Sequence, residues 1–106
     1  MFYEIRRYQV QPGRRDEWVR YMEATVIPFQ VEQGMSVTAS FIDEEDPGGY
    51  VWIRRFEDEQ ERIALYAKVY ESDRWQREIG PEVRELLLVD QIKVTRVVPT
   101  STSALR

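Results

Sequence analysis

The chain has 106 residues, 42% of them apolar and 32% charged, a size and composition that suit one domain with a core needing no covalent staple. It contains neither cysteine nor histidine, which excludes disulfide frameworks, thiolate nucleophiles, cysteine-bound zinc or iron–sulfur clusters, and the usual neutral-pH general base. The formal net charge of −4 argues against a nucleic-acid partner.

No apolar run approaches the roughly 18 residues of a membrane span, so no membrane association is expected. The opening Met1-Phe2-Tyr3-Glu4-Ile5-Arg6 lacks a signal peptide's basic-then-apolar layout, and a reducing cytoplasmic setting follows as the expectation. A first strand is predicted over residues 2–10. Phe2, Glu4, Arg6, Tyr8 and Val10 share one face, and Tyr3, Ile5, Arg7 and Gln9 the other. Apolar groups on both faces indicate a strand covered on both sides. Pro12-Gly13 ends it.

A helix is predicted from about Arg15, with Trp18, Met22, Val26 and Phe29 at helical spacing. Pro28 removes a backbone donor inside this pattern and predicts a kink, and Gly34 suits the left-handed residue after the helix. Met35, Val37, Ala39 and Phe41 then alternate with Ser36, Thr38 and Ser40 as a half-buried second strand. The turn 44–49 leads to a third strand over 50–56, and the short connection makes the pair an antiparallel hairpin.

Asp58 is placed as a helix N-cap with Glu61 as its reciprocal partner. The second helix is predicted to bury Ile63, Tyr66, Ala67 and Tyr70. Ser72-Asp73 restarts a short helical segment holding Trp75 and Ile79, and Pro81 is assigned to a first helical position closed by Leu86-Leu87-Leu88. Residues 91–98 alternate as a last strand. The order βαββαβ is the split βαβ pattern of ferredoxin-like α+β folds, a four-stranded antiparallel sheet with the first and third strands central. One domain is expected over 1–99, with 100–106 a loose tail. Helices cover one sheet face only, so Tyr3, Ile5, Val51 and Ile53 on the other predict a homodimer packed sheet to sheet.

Tyr3-Glu4-Ile5-Arg6-Arg7-Tyr8, followed by Pro12-Gly13, resembles the start of a NIPSNAP domain. Further matches follow in order: Val26-Ile27-Pro28 late in the first helix, Gly34 before the second strand, Arg55-Phe56-Glu57-Asp58 with Glu61-Arg62 after it, and Asp73-Arg74-Trp75-Gln76. They run from Tyr3 to about Leu88. The resemblance implies a dimeric α+β barrel with a ligand pocket between sheet and helices. Related barrels include cofactor-independent monooxygenases, isomerases and haem-degrading oxygenases. The haem degraders place a histidine one turn after an aromatic residue on the short helix. Here Ile79 stands one turn after Trp75, so haem is not expected, nor is any other cofactor.

On the first strand, Glu4, Arg6 and Tyr8 would enter the space under the helices, where buried charges need partners. Glu4 can pair with Arg6 or with Arg54 on the neighbouring strand. Trp18, Tyr66 and Trp75 would complete an aromatic pocket above them. Two readings stay open. In one, Arg6 and Arg54 hold a carboxylate or enolate, Tyr8 donates a hydrogen bond and Glu4 moves a proton. In the other, the cluster is a structural ion-pair network.

Arg7 and Arg55 face the expected partner subunit, with acidic groups across that interface as their counterions, and Arg62 reads as a surface charge. The acidic runs 57–61 and 44–46 read as a helix start and a solvated turn, not as a metal site. Three functions are consistent with the sequence. They are binding of a small apolar or aromatic molecule carrying an acidic or carbonyl group, cofactor-independent monooxygenase or isomerase chemistry, and a protein-interaction scaffold.

Overall fold

A computed structural model describes residues 1–106. Four antiparallel strands, β1 (Phe2–Gln9), β2 (Ser36–Ile42), β3 (Gly49–Phe56) and β4 (Lys93–Val97), form one sheet in the order β2-β3-β1-β4. The two strands with apolar groups on both faces are indeed the central pair. Glu4 lies opposite Arg54 and Arg6 opposite Trp52 in the β1–β3 register. No helix is long and apolar enough to cross a membrane.

The first helix, α1, runs over 15–32 as three joined stretches, Arg15–Tyr21, Met22–Val26 and Ile27–Glu32. The middle stretch is π-helical, closing with the Ile27 N–H bonded to the Met22 carbonyl. Pro28 follows at once. Its missing N–H and its ring deprive the carbonyl four residues back of a partner, and the wider turn absorbs the mismatch. Beyond Glu32 the chain closes a Schellman motif. Gly34, at φ +108°, donates to the Val31 carbonyl, and the Met35 N–H donates to that of Gln30.

The helix α2 (Glu59–Tyr70) starts at Asp58, whose side chain accepts from the Glu61 N–H. Glu61 reaches back to the N–H of Glu57, not that of Asp58. Its buried row is Leu65 and Val69, flanked by the packed rings of Tyr66 and Tyr70. Ile63 is exposed, because the row facing the sheet is set by where the Asp58 cap starts the helix and not by apolar character alone.

The last helix, α3, runs over 73–86 through a π-helical stretch Trp75–Ile79 and the α-helical Gly80–Leu86. Ser72 caps it, accepting from the Trp75 N–H. Pro81 therefore sits inside a continuous helix and not at a first helical position. The Gly80 N–H bonds to the Trp75 carbonyl, the same device that precedes Pro28.

One further expectation is corrected. The alternation of β2 does not run unbroken, because a bulge between Val37 and Ala39 leaves Thr38 unpaired. Val37 stands opposite Arg54 on the helix-covered face, but beyond the bulge Ser40 and Ile42 take that face while Ala39 and Phe41 turn outward. A turn at Thr100–Ser103 places Leu105 around the same surface hollow as Tyr3, Ile5 and Ile53, and the Arg106 carbonyl accepts from Arg55 Nε. Arg55 also pairs with Glu57 two residues on, so its counterion lies within its own chain.

Candidate functional site

The helix-covered face of β1 and β3 carries Phe2, Glu4, Arg6 and Tyr8 beside Tyr50, Trp52, Arg54 and Phe56. Arg54 is the centre of the polar cluster and is wholly buried. Its Nη1 donates to Gln30 Oε1 at 2.8 Å and to the Tyr70 hydroxyl at 2.7 Å. Its Nη2 donates to Glu4 Oε1 at 2.9 Å and to the Tyr66 hydroxyl at 2.9 Å. The guanidinium also lies over the Trp52 ring, 4.8 Å from its centroid. Tyr66 in turn donates to Glu4 at 2.8 Å. Glu4 is thus paired and hydrogen-bonded, as a buried carboxylate must be.

Arg6 is placed differently. Its Nε donates to the Tyr8 hydroxyl at 2.8 Å, but its nearest carboxylate oxygen, on Glu4, is 3.9 Å away. Two guanidiniums therefore share one carboxylate, and Arg6 is the one left under-paired. Burial raises the pKa of the Tyr8 phenol against the pull of Arg6, and raises that of Tyr66 to about 12 against the pull of Arg54 and Arg6. Both stay protonated near neutrality and are not bases; Tyr66 donates to Glu4, while the Tyr8 oxygen accepts from Arg6.

Between this face and the helices lies a cavity of about 130 Å³, lined by Arg6, Tyr8 and Trp52 from the sheet, by Trp18, Met22, Val26 and Gln30 from α1, and by Tyr70, Trp75, Val83, Leu87 and Ile92. The α1 residues follow one another at intervals of four. A plain α-helix would rotate such a row by about 40° per step, and the wider turn at Met22–Val26 keeps it facing the cavity. On α3, Trp75, Ile79 and Val83 repeat the spacing across the second π-helical stretch, with Ile79 buried behind the wall.

The polar atoms of this wall are donors. Trp18 Nε1, Trp52 Nε1 and Gln30 Nε2 are buried without hydrogen-bond partners. The Tyr8 and Tyr70 oxygens accept from arginines, which leaves their own protons uncommitted. The remaining unpartnered buried side-chain atom, Arg54 Nε, is also a donor. Wider concavities exist at the surface. One of about 390 Å³ mixes Arg7 and Lys93 with Asp43, Asp46 and Asp90, charges of both signs that select no single ligand.

Of the residues singled out from the sequence, Arg6, Tyr8, Trp18 and Trp75 line the cavity, while Glu4, Arg54 and Tyr66 stand beside it as its support. Gln30, Tyr70 and Trp52 escaped the sequence reading. Gln30 carries a signal that was available, because it extends the Trp18, Met22, Val26 row by four residues. Arg62 lies at the rim of the cluster, bonded to Glu59 and stacked over Tyr66.

The sequence profile of the NIPSNAP family matches residues 3–104. No curated protein matches the chain. Among solved structures, a NIPSNAP family protein from Agrobacterium tumefaciens is 26% identical, with all of this chain and 94% of that one aligned and a TM-score of 0.89. A NIPSNAP domain protein from Burkholderia xenovorans is 15% identical over 97% of this chain and 98% of that one, with a TM-score of 0.85. An antibiotic biosynthesis monooxygenase, 19% identical over 94% and 99% of the two chains, has a TM-score of 0.68 and shares the fold.

Proposed function

The chain belongs to the NIPSNAP family, and on that footing we propose that it binds a small apolar or aromatic molecule bearing an acidic or carbonyl group, held between the sheet and the helices. One observation carries the reading: the residues around an otherwise apolar cavity include an under-paired guanidinium and several side chains with unpartnered N–H groups. Buried donors without acceptors are costly, by about 1–3 kcal/mol each, and a ligand oxygen removes that cost. The size of the space, about 130 Å³, is close to the roughly 150 Å³ that admits a benzene ring. A single ring matches that volume, with its substituent directed at Arg6, whose side chain is 15% exposed.

Cyclohexanecarboxylate and cyclohexylmethylamine provide the test, being alike in size and opposite in charge. Trp18, Trp52 and Trp75 all line the cavity, so tryptophan emission reports its occupancy. The acid is expected to change the emission saturably and the amine not to. Equal responses to both, or an undiminished response to the acid in Arg6→Met, count against the proposal.

The outer sheet face supports a homodimer in the same proposal. Ile5, Val51 and Ile53 are only half buried there, and the β2 bulge adds Phe41, which is 52% exposed. A second copy packed on this face removes that apolar surface from water. Light scattering is expected to give twice the chain mass, and Ile53→Asp to return it to one.

A further inference from the structure

Gln30 is fully buried on α1, and its two amide atoms are in unlike positions. Its Oε1 accepts from Arg54 Nη1 at 2.8 Å, while its Nε2, in a residue of the cavity wall, has no partner. Because a guanidinium only donates, Arg54 fixes which way the amide points. The oxygen must face Arg54, and the NH2, in a residue of the cavity wall, is left without a partner. Arg54 is itself held by Glu4, Tyr66 and Tyr70. The backbone is pinned as well, since the Gln30 carbonyl accepts from Met35 in the Schellman motif. A donor held this firmly is preorganised to meet an acceptor.

Resting on the pocket reading above, we infer that Gln30 reads a second oxygen on the ligand, so that the ligand class is a small oxo acid. Its carboxylate faces Arg6, and its carbonyl oxygen accepts from Gln30 Nε2. Arg6 and Gln30 reach the cavity from different elements, β1 and α1, and are joined only through Tyr66 and Arg54. A ligand with oxygens on two different carbons satisfies both donors. Arg54 acts on the ligand through Gln30, and Glu4 through Arg54 and Arg6, so both are positioning residues.

The test uses the wild-type protein with three ring acids, cyclohexanecarboxylate and its 3-oxo and 4-oxo derivatives, titrated by tryptophan emission. The oxo acids differ from the parent in one CH2 replaced by C=O. At least one is expected to bind about tenfold more tightly than the parent, the effect of satisfying one buried donor. In Gln30→Met the ratio falls to about one. In Gln30→Glu, which turns an acceptor toward the carbonyl, the ratio inverts. Binding of the parent acid with no preference for either oxo acid overturns the inference and leaves the pocket reading standing. So does a preference that survives in either variant. Failure of all three acids to bind overturns both. Should neither variant fold, the wild-type ratio alone decides.

Discussion

Arg54 and Arg6 project from neighbouring strands onto the same covered face, yet their surroundings differ in kind. Arg54 has no exposed surface, and both of its terminal nitrogens are engaged by Glu4, Gln30, Tyr66 and Tyr70. The Arg6 side chain keeps 15% of its surface exposed, touches the only nearby carboxylate at 3.9 Å, and borders the cavity. The difference separates support from recognition. A guanidinium whose donors are spent within the protein holds other groups in place, and one whose donors are spare is available to a ligand.

The sharpest way to break that comparison is to remove Arg54. Arg54→Met leaves Glu4 buried beside Tyr66 with only the Arg6 guanidinium, 3.9 Å away, as a cation, and the expected loss of stability is about 3 kcal/mol, read as a lower urea midpoint. A loss no larger than that of an exposed arginine would place the anchor of this face elsewhere. Tyr66→Phe is milder. It deletes a donor to Glu4 and an acceptor for Arg54, with an expected cost of about 1–3 kcal/mol.

The same tyrosine has an alkaline signature. Burial raises its phenol from the ordinary 10 to about 12, so the folded state holds the proton more tightly than the unfolded chain. The stability this confers is complete below pH 10 and is lost as pH rises toward 12. In Tyr66→Phe the alkaline decline between those values is expected to be shallower. A residual decline belongs in part to Tyr50, which burial also raises to about 12.

Removing Arg6 inverts the pattern. Glu4 keeps Arg54 and Tyr66, so Arg6→Met is expected to alter stability by no more than about 1 kcal/mol. Affinity for cyclohexanecarboxylate should fall at least about tenfold, the loss of a charge-assisted hydrogen bond. Large destabilisation with unchanged affinity would exchange the roles given to the two arginines.

The roles themselves were only partly legible in the sequence. Strand order followed from which strands carried apolar groups on both faces, while the partner of Glu4 stayed open between Arg6 and Arg54. The full set of partners on the Arg54 terminal nitrogens did not follow, because Gln30 and Tyr70 come from two helices whose rotation about their axes no local pattern determines. Gln30 was hard to read for a further reason. A glutamine near a helix end is ordinarily solvated, and only the π-helical stretch keeps it in line with Trp18. Pro28 announced a disturbance without saying whether the helix would bend, stop or widen. The β2 bulge was hidden because Thr38 fits either side of an alternating pattern.

The smallest effect is expected where charges are most numerous and most exposed. Glu59, in the first turn of α2, is bonded by Arg62 and Arg96, and these bonds lower its carboxyl to about 2. The sign is opposite to that of Tyr66. A depressed carboxyl contributes stability above its ordinary value of 4.5, and the contribution is lost as pH falls toward 2. Solvent and salt screen the cluster, since Arg96 and Glu59 remain nearly half exposed. Glu59→Gln should therefore shift the urea midpoint at neutral pH less than Arg6→Met does. The shift should vanish in molar salt, and the acid limb between pH 4.5 and 2 should flatten. A shift comparable with that of Arg54→Met, persisting in salt, would mean that the exposed pair of arginines anchors α2 to the sheet edge as firmly as Arg54 anchors its centre. Arg96 offers a route for such anchoring, because its guanidinium also covers the buried Phe2 ring at 4.1 Å. Arg96→Met, which keeps much of the stem packing and removes the charge, separates that contribution from the ion pair with Glu59.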